Sequence, residues 1–214
     1  MDSNDSLIKL LIQEGYLKSP EIIAAFKKVD RADFIPLEML GEAYGNYPLP
    51  IGLGQTISQP ATVAFMLELL KAQPKDKVLD VGSGSGWQTA LLAEIVGPKG
   101  QIIGLEIKDE LVKLAQDNLS KYDYQNIKIV QGNGWQGLSN ESPFDKIIVA
   151  AAALEIPEAL KEQLAIGGRL VLPVGIGTQN VVVVDKVSQN NFKEKHYPGF
   201  IFVPLIQEPI IHNP

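Results

Sequence analysis

Lys77-Val78-Leu79-Asp80-Val81-Gly82-Ser83-Gly84-Ser85-Gly86-Trp87 is the stretch whose reading decides the fold. Val78, Leu79 and Val81 predict a short buried strand, and from Gln88 to Val96 the apolar residues resume at helical period. Between them stand three glycines at spacing two. A strand that breaks into a glycine turn and re-enters as a helix builds a backbone cradle. Without Cβ atoms, Gly82, Gly84 and Gly86 let a ligand lie against the main chain, and the first amides of the following helix have no intrahelical partner.

Spacing separates the ligands such a turn takes. The dinucleotide fingerprint is G-x-G-x-x-G/A, whereas the pattern here is G-x-G-x-G, with Trp87 where the fingerprint needs a small residue. Asp80 lies on the strand just before the turn. Together these features resemble the nucleoside-binding turn of class I S-adenosylmethionine-dependent methyltransferases. Residues 101–106 predict a second strand ending in Glu106, placed to accept hydrogen bonds from ribose hydroxyls, a geometry both families share.

Outward from this unit, alternating strands and helices predict a parallel sheet with right-handed crossovers. A helix is expected over 109–121 and strands over 127–130 and 144–150. Residues 169–174 and 181–187 are joined by a loop too short for a helical crossover, so that pair should be antiparallel. A last strand is expected at 200–203. The fold expected is α/β: a doubly wound, mostly parallel Rossmann-like sheet with an antiparallel pair near the C-terminus and extra N-terminal helices. Two amphipathic helices are expected within 6–35, the second opening at Ser19-Pro20-Glu21 with Ser19 as cap. Residues 43–60 carry prolines and glycines that argue against a regular element, yet Tyr44, Tyr47, Leu49, Ile51, Leu53 and Ile57 would anchor them. A long, ordered, irregular loop is usually functional. A helix over 61–71 follows.

The chain of 214 residues is long enough for one α/β domain. The division expected is 1–60 for the N-terminal helices and active-site loop, and 61–206 for the core. A net charge of −6 argues against capture of a nucleic-acid backbone. Absence of cysteine excludes disulfides, thiolate catalysis and Cys-based zinc sites, and fits a reducing cytoplasm. No apolar run predicts a signal or a membrane span. A monomer without metal is the expectation.

The irregular loop and the core together resemble the protein-L-isoaspartate (D-aspartate) O-methyltransferase family. The resemblance is carried by Arg31-Ala-Asp-Phe-Ile-Pro36, Leu49-Pro-Ile-Gly-Leu-Gly-Gln-Thr-Ile-Ser-Gln-Pro60, the glycine turn, Pro143-Phe-Asp-Lys-Ile-Ile-Val149, Gly167-Gly-Arg-Leu-Val-Leu-Pro-Val-Gly175 and Phe202-Val-Pro-Leu205. It implies S-adenosyl-L-methionine as cofactor and isoaspartyl residues of damaged proteins as substrate. It implies catalysis by Ser58, with Thr56, Ile57 and Gln59 lining the reaction centre. Gly82, Ser83, Gly84 and Gly86 would hold the methionine part and the nucleoside, Glu106 the ribose, and Asn133-Gly134 the adenine. Two departures stand out: Asn133 replaces the family's usual aspartate between two glycines, and Asn46 replaces another. Asn133 keeps a carbonyl acceptor and loses the charge. Asn133-Gly134 is also the dipeptide least hindered against deamidation.

A carboxylate acceptor with a pKa of about 4 is already ionised at neutral pH. No general base is therefore required, which suits a chain with only two histidines, neither in a recognisable motif. Ser58 would orient the acceptor rather than attack; it also stands where a helix N-cap would, ahead of Gln59-Pro60. Two other readings use the same turn: a methyltransferase for another small-molecule acceptor, and a non-catalytic binding protein of the same fold.

Overall fold

The computed structural model describes residues 3–207. A hairpin of β1 (Leu49–Gly52) and β2 (Gln55–Ile57) precedes the main sheet. That sheet is built from β3 (Lys77–Val81), β4 (Gln101–Glu106), β5 (Ile127–Gln131), β6 (Phe144–Val149), β7 (Leu164–Val174), β8 (Gln179–Ser188) and β9 (Asn191–Phe200). Its seven strands lie in the order β5-β4-β3-β6-β7-β8-β9. Strands β3 to β7 pair in parallel, and β8 runs antiparallel to both its neighbours. Chain order reverses at β3, which has β4 on one side and β6 on the other. Such a reversal opens a crevice beyond the carboxyl ends of the strands.

Side chains alternate across this sheet, as the pleat requires. Val78, Ile102, Ile148, Val171, Val181 and Val183 face one apolar cluster. It is completed by α1 (Asn4–Gln13), α2 (Pro20–Lys28), α3 (Pro60–Leu70), α4 (Trp87–Val96) and two leucines of α5 (Asp109–Leu119). Leu79, Ile103, Ile147, Leu170, Val182 and Val184 face a second cluster, closed by Leu160 of α6 (Glu158–Glu162) and the loop after β5. Helix α6 ends on a buried cation: Lys186 Nζ donates to the carbonyls of Lys161, Glu162 and Leu164 at 3.3, 2.9 and 2.8 Å. No helix among the described residues is long and apolar enough to cross a membrane.

Three expectations are corrected. Residues 43–60 are not wholly irregular, because β1 and β2 pair there in antiparallel register. The tip of this hairpin, Leu53-Gly54, has φ of 54° and 71°, the positive values that a tight two-residue turn demands. Second, the final strand is β9, which begins earlier than 200–203 and is mostly exposed along its length, while residues 201–207 leave the sheet. Third, Ser19 occupies the N-cap of α2, but its hydroxyl does not close back on the helix. Glu68 of α3 takes over instead, its Oε1 accepting from the amides of Lys18 and Ser19, both at 2.7 Å, and its Oε2 from Ser19 Oγ at 2.6 Å.

This one carboxylate joins α2 to α3. Glu68→Ala, which leaves three donors to water, is expected to lower stability by about 1–2 kcal/mol in urea melts; an unchanged midpoint would show that the tie contributes nothing.

Candidate active site

The three glycines after β3 have φ of 77°, 53° and 89° at Gly82, Gly84 and Gly86, values that side chains other than glycine rarely adopt. The turn is pinned from below: the amides of Gly82 and Ser83 donate to Leu105 O at 2.7 and 3.3 Å. Asp80, fully buried, fixes the helix that follows. Its Oδ1 accepts from Gln88 Nε2 at 2.7 Å and its Oδ2 from Thr89 Oγ1 at 2.6 Å, both in the first turn of α4. Burial pushes the Asp80 carboxyl up to about 6, against the pull of these two hydrogen bonds. Asp80 thus holds the cradle in place and does not border the cleft.

Glu106, at the end of β4, is also nearly buried. Its Oε1 accepts from the amides of Ile107 (2.8 Å) and Lys108 (3.1 Å), and its Oε2 from that of Gly84 (3.1 Å). A carboxylate offers about four lone-pair directions, so one remains on the Gly84 side. Two polar groups bordering the cleft are buried without partners, Ser83 Oγ and Trp87 Nε1. Orphaned buried groups of this kind call for a polar ligand. With the glycine cradle and the free direction on Glu106, they fit the carboxylate, amino and hydroxyl groups of an adenosyl amino acid.

Opposite the cradle lies the segment ending in Ser58, positioned by a buried arginine. Arg31 sits in a 3₁₀ turn, Arg31–Phe34, capped by Asp30 Oδ1 accepting from Ala32 N at 2.9 Å. Its Nη1 donates to the carbonyls of Ala43 (2.9 Å) and Gly45 (3.1 Å), and its Nη2 to those of Tyr47 (3.0 Å) and Ser58 (3.2 Å). The guanidinium also lies 5.5 Å from the centre of the Trp87 ring. Burial lowers its pKa to about 10, so it stays charged at neutral pH. The hairpin rests on the cradle: a Cβ at Gly84 would lie 3.3 Å from Ile51 Cδ1, and Lys108 Nζ donates to Leu53 O at 2.6 Å.

Ser58 is not the cap of α3, because Gln59 occupies that position and offers no side-chain cap. Asn46 does the capping from outside, its Oδ1 accepting from Ala61 N at 3.0 Å, while Gln59 Nε2 donates to Asn46 O at 2.9 Å. An asparagine keeps the acceptor this role needs, which gives the departure at 46 a structural place.

Thr56, Ile57, Ser58, Gly82, Ser83, Glu106 and Gly134 all border one cleft. Gly84 and Gly86 do not border it: a Cβ at Gly84 would meet Ile51, and one at Gly86 would meet Leu119 of α5 at 3.3 Å. Gln59 borders instead an adjoining groove of about 670 Å³, lined also by Tyr16, Phe65 and Phe202. Thr56, Ser58, Ala150 and Val203 border both spaces, so Ser58 stands at their junction. Asn133 is turned to its own chain: Oδ1 accepts from Trp135 N at 2.9 Å and Nδ2 donates to Gln207 O. Sequence reasoning missed the strap formed by Val203, Pro204, Leu205 and Ile206, which borders the cleft and is tied down by reciprocal backbone bonds. Ala152 N donates to Val203 O and Leu205 N to Ala152 O, both at 2.8 Å, and Trp135 Nε1 donates to Leu205 O at 3.0 Å. The block Phe202-Val-Pro-Leu205 was its only signal.

A parallel sheet reversing at β3, a glycine cradle and a strand-end glutamate define the S-adenosylmethionine-dependent methyltransferase class. A crystal structure from Plasmodium falciparum, described as a candidate protein-L-isoaspartate O-methyltransferase in complex with S-adenosyl-L-homocysteine, superposes with a TM-score of 0.87. It is 28% identical and covers 97% of this chain and 100% of its own. The family model "Protein-L-isoaspartate(D-aspartate) O-methyltransferase (PCMT)" matches residues 2–209. The protein-L-isoaspartate O-methyltransferases of Methanothermobacter thermautotrophicus and Methanopyrus kandleri are 39% and 41% identical, covering 96% and 99% of this chain and 96% and 95% of their own length. The chain belongs to the protein-L-isoaspartate (D-aspartate) O-methyltransferase family.

Two outcomes test this geometry. Arg31→Lys replaces a fork of donors by a compact ammonium and strands buried carbonyls, so it should lose about 2–4 kcal/mol of stability and raise the KM of a peptide substrate; wild-type stability in denaturant would remove Arg31 from this role. For Asp80, the folded-state value of about 6 lies above the ordinary 3.8. Its contribution to stability is present below 3.8 and lost as pH rises through about 6. Thermal melts across that window should show a falling component in the wild type that is missing in Asp80→Asn; parallel curves would contradict it.

Proposed function

We propose that this chain is a protein repair methyltransferase. It transfers a methyl group from S-adenosyl-L-methionine to the free carboxylate of L-isoaspartyl and D-aspartyl residues in damaged proteins, leaving S-adenosyl-L-homocysteine. The observation that carries this reading is the position of Ser58 where the cofactor cleft meets a second, wider groove. A methyl donor in the first and a peptide in the second would meet there and nowhere else along the cleft.

When bound, S-adenosyl-L-methionine supplies an electrophilic methyl carbon on a sulfonium. The chain's own part is placement. Gly82, Ser83, Gly84 and Gly86 would hold the amino-acid end and nucleoside by main-chain approach, Glu106 a ribose hydroxyl, and Gly134 and the strap the base. Thr56 and Ile57 wall the reaction centre, Gln59 walls the groove that would take the peptide, and Ser58 donates a hydrogen bond that aims one oxygen of the acceptor. The acceptor arrives ionised, so no side chain has to remove a proton. The rate then comes from alignment and from keeping water out. Ile57, Trp87, Leu105, Leu111 and Leu205 give the cleft the apolar walls this needs.

The chain is read as acting singly in the cytoplasm. The absence of cysteine and a net charge of −6 support this reading: no disulfide calls for an oxidising compartment, and the overall charge disfavours capture of a nucleic-acid backbone.

The test is formation of base-labile methyl ester on an isoaspartyl peptide and not on its normal aspartyl twin; equal labelling of both, or of neither, would overturn the assignment. Ser58→Ala should lose about 10–100-fold in kcat/KM, the value of one hydrogen bond to a charged acceptor. Its calorimetric affinity for S-adenosyl-L-homocysteine should change far less.

A further inference from the structure

The groove beside Ser58 runs between α3 and the end of β9. Thr62 and Phe65 of the helix line one side of it, and Phe200 and Phe202 line the other. We propose that this groove selects damaged sites by their neighbours: it takes an aromatic or large aliphatic side chain two or three residues from the isoaspartate, with Phe65 as the specificity-determining residue, and disfavours a charge of either sign there. The inference rests on the function proposed above and adds to it which isoaspartyl sequences are preferred.

Among the described residues, no Asp, Glu, Lys, Arg or His lines this groove. Two of its polar side chains already answer each other: Thr62 Oγ1 donates to Gln59 Oε1 at 3.3 Å, and Gln59 Nε2 donates onward to Asn46 O at 2.9 Å. On the facing side, Phe202 N donates to Gln179 Oε1 at 2.9 Å and Val203 O accepts from Ala152 N at 2.8 Å. A charged side chain entering here gives up water and meets no opposite charge. What the groove offers a neighbour of the isoaspartate is apolar surface.

That surface is aromatic and held in place. The Phe65 ring stacks on Phe200, with centroids 5.3 Å apart and 23° between planes, and meets Tyr197 edge-on at 5.5 Å. Phe202 follows, 6.4 Å from Phe200. Phe65, Phe200 and Phe202 are only partly buried, and all three border the groove. Rings that fix one another have little freedom left to lose when a further side chain packs on them. An aromatic guest adds a ring–ring contact to the area it buries. A contiguous apolar patch of this kind marks a binding surface, and Ile201, 84% exposed, extends it.

The occupant and its register follow from continuity with the reaction centre. Because Ser58 borders both spaces, a polypeptide whose isoaspartate reaches Ser58 continues into the groove. Helix α3 begins at Pro60, and from there to Phe65 it rises about 8 Å. Extended chain advances about 3.3 Å per residue, so the side chain that meets Phe65 belongs to a residue two or three positions from the isoaspartate. Gly199, on the facing side, has φ of 102° and open space where a Cβ would stand, which leaves room for the main chain of such a peptide.

The experiment uses isoaspartyl peptides that carry Phe, Leu, Ala, Glu or Lys two or three positions to either side of the isoaspartate and are otherwise identical. Each is followed by methyl-ester kinetics and by calorimetric binding to the full-length protein loaded with S-adenosyl-L-homocysteine. At one of these positions the Phe and Leu peptides should show a KM several-fold below that of the Ala peptide, and the Glu and Lys peptides one above it. The kcat should change far less, as for contacts made equally in ground and transition states. Phe65→Ala should abolish the advantage of the Phe peptide and Phe65→Leu keep most of it, with affinity for S-adenosyl-L-homocysteine retained in both. Phe and Ala peptides of equal KM and equal binding, or an advantage that survives in Phe65→Ala, overturn the proposal. A Lys peptide favoured over Ala with Glu disfavoured also overturns it, since that order belongs to the net charge of the chain. If no peptide is methylated while the order of binding holds, the function proposed above fails and the selectivity of the groove stands; if none is methylated or bound, both fail.

Discussion

One buried cation sets the geometry of the candidate site. The guanidinium of Arg31 has no carboxylate partner among the described residues; its forked donors are spread over four main-chain carbonyls, Ala43, Gly45, Tyr47 and Ser58. Four carbonyls converging in an apolar interior would each lack a donor, and a single planar fork answers all of them at once. The segment from 43 to 58 is thereby folded around one side chain as much as around the short ladder of its own hairpin. Because Ser58 is the last of the four, the same cation fixes the residue expected to aim the acceptor.

The opposite wall is built differently. There the main chain itself is the binding surface, and three alternating glycines of positive φ make it so. Asp80 beneath this turn is a carboxyl held in the core by two side-chain donors, which locks the first turn of α4 to the strand before it. The two walls are coupled through Ile51 against Gly84 and through Lys108 to the hairpin tip.

Much of the fold was legible because it obeys simple periods. The strand, turn and helix from Lys77 to Val96 announce themselves by apolar runs and glycine spacing, and the antiparallel pair by its short loop. The hairpin was hidden because Pro50 and three nearby glycines look like strand breakers. A two-stranded unit needs only a few pairs, and Pro50 lies exposed at its edge. Strand β9 was hidden for the opposite reason: it is an edge strand, mostly exposed, whose few apolar residues Phe192, Tyr197 and Phe200 are too widely spaced to alternate, and the apolar run beyond it is a strap and not a strand. The positions of Ser58, Ser83 and Glu106 at one cleft followed from motif order. The hold of Arg31 did not, because its partners are carbonyls, which every residue has and no sequence pattern distinguishes.

The most direct test of the central claim is a crystal structure of the enzyme with S-adenosyl-L-homocysteine and an isoaspartyl peptide. The account predicts the sulfur beside the Gly82 to Gly86 turn, the isoaspartyl carboxylate between it and Ser58, and the Arg31 fork still on its four carbonyls. A peptide carboxylate bound away from Ser58, or a loop that has left Arg31 to reach it, would contradict the account.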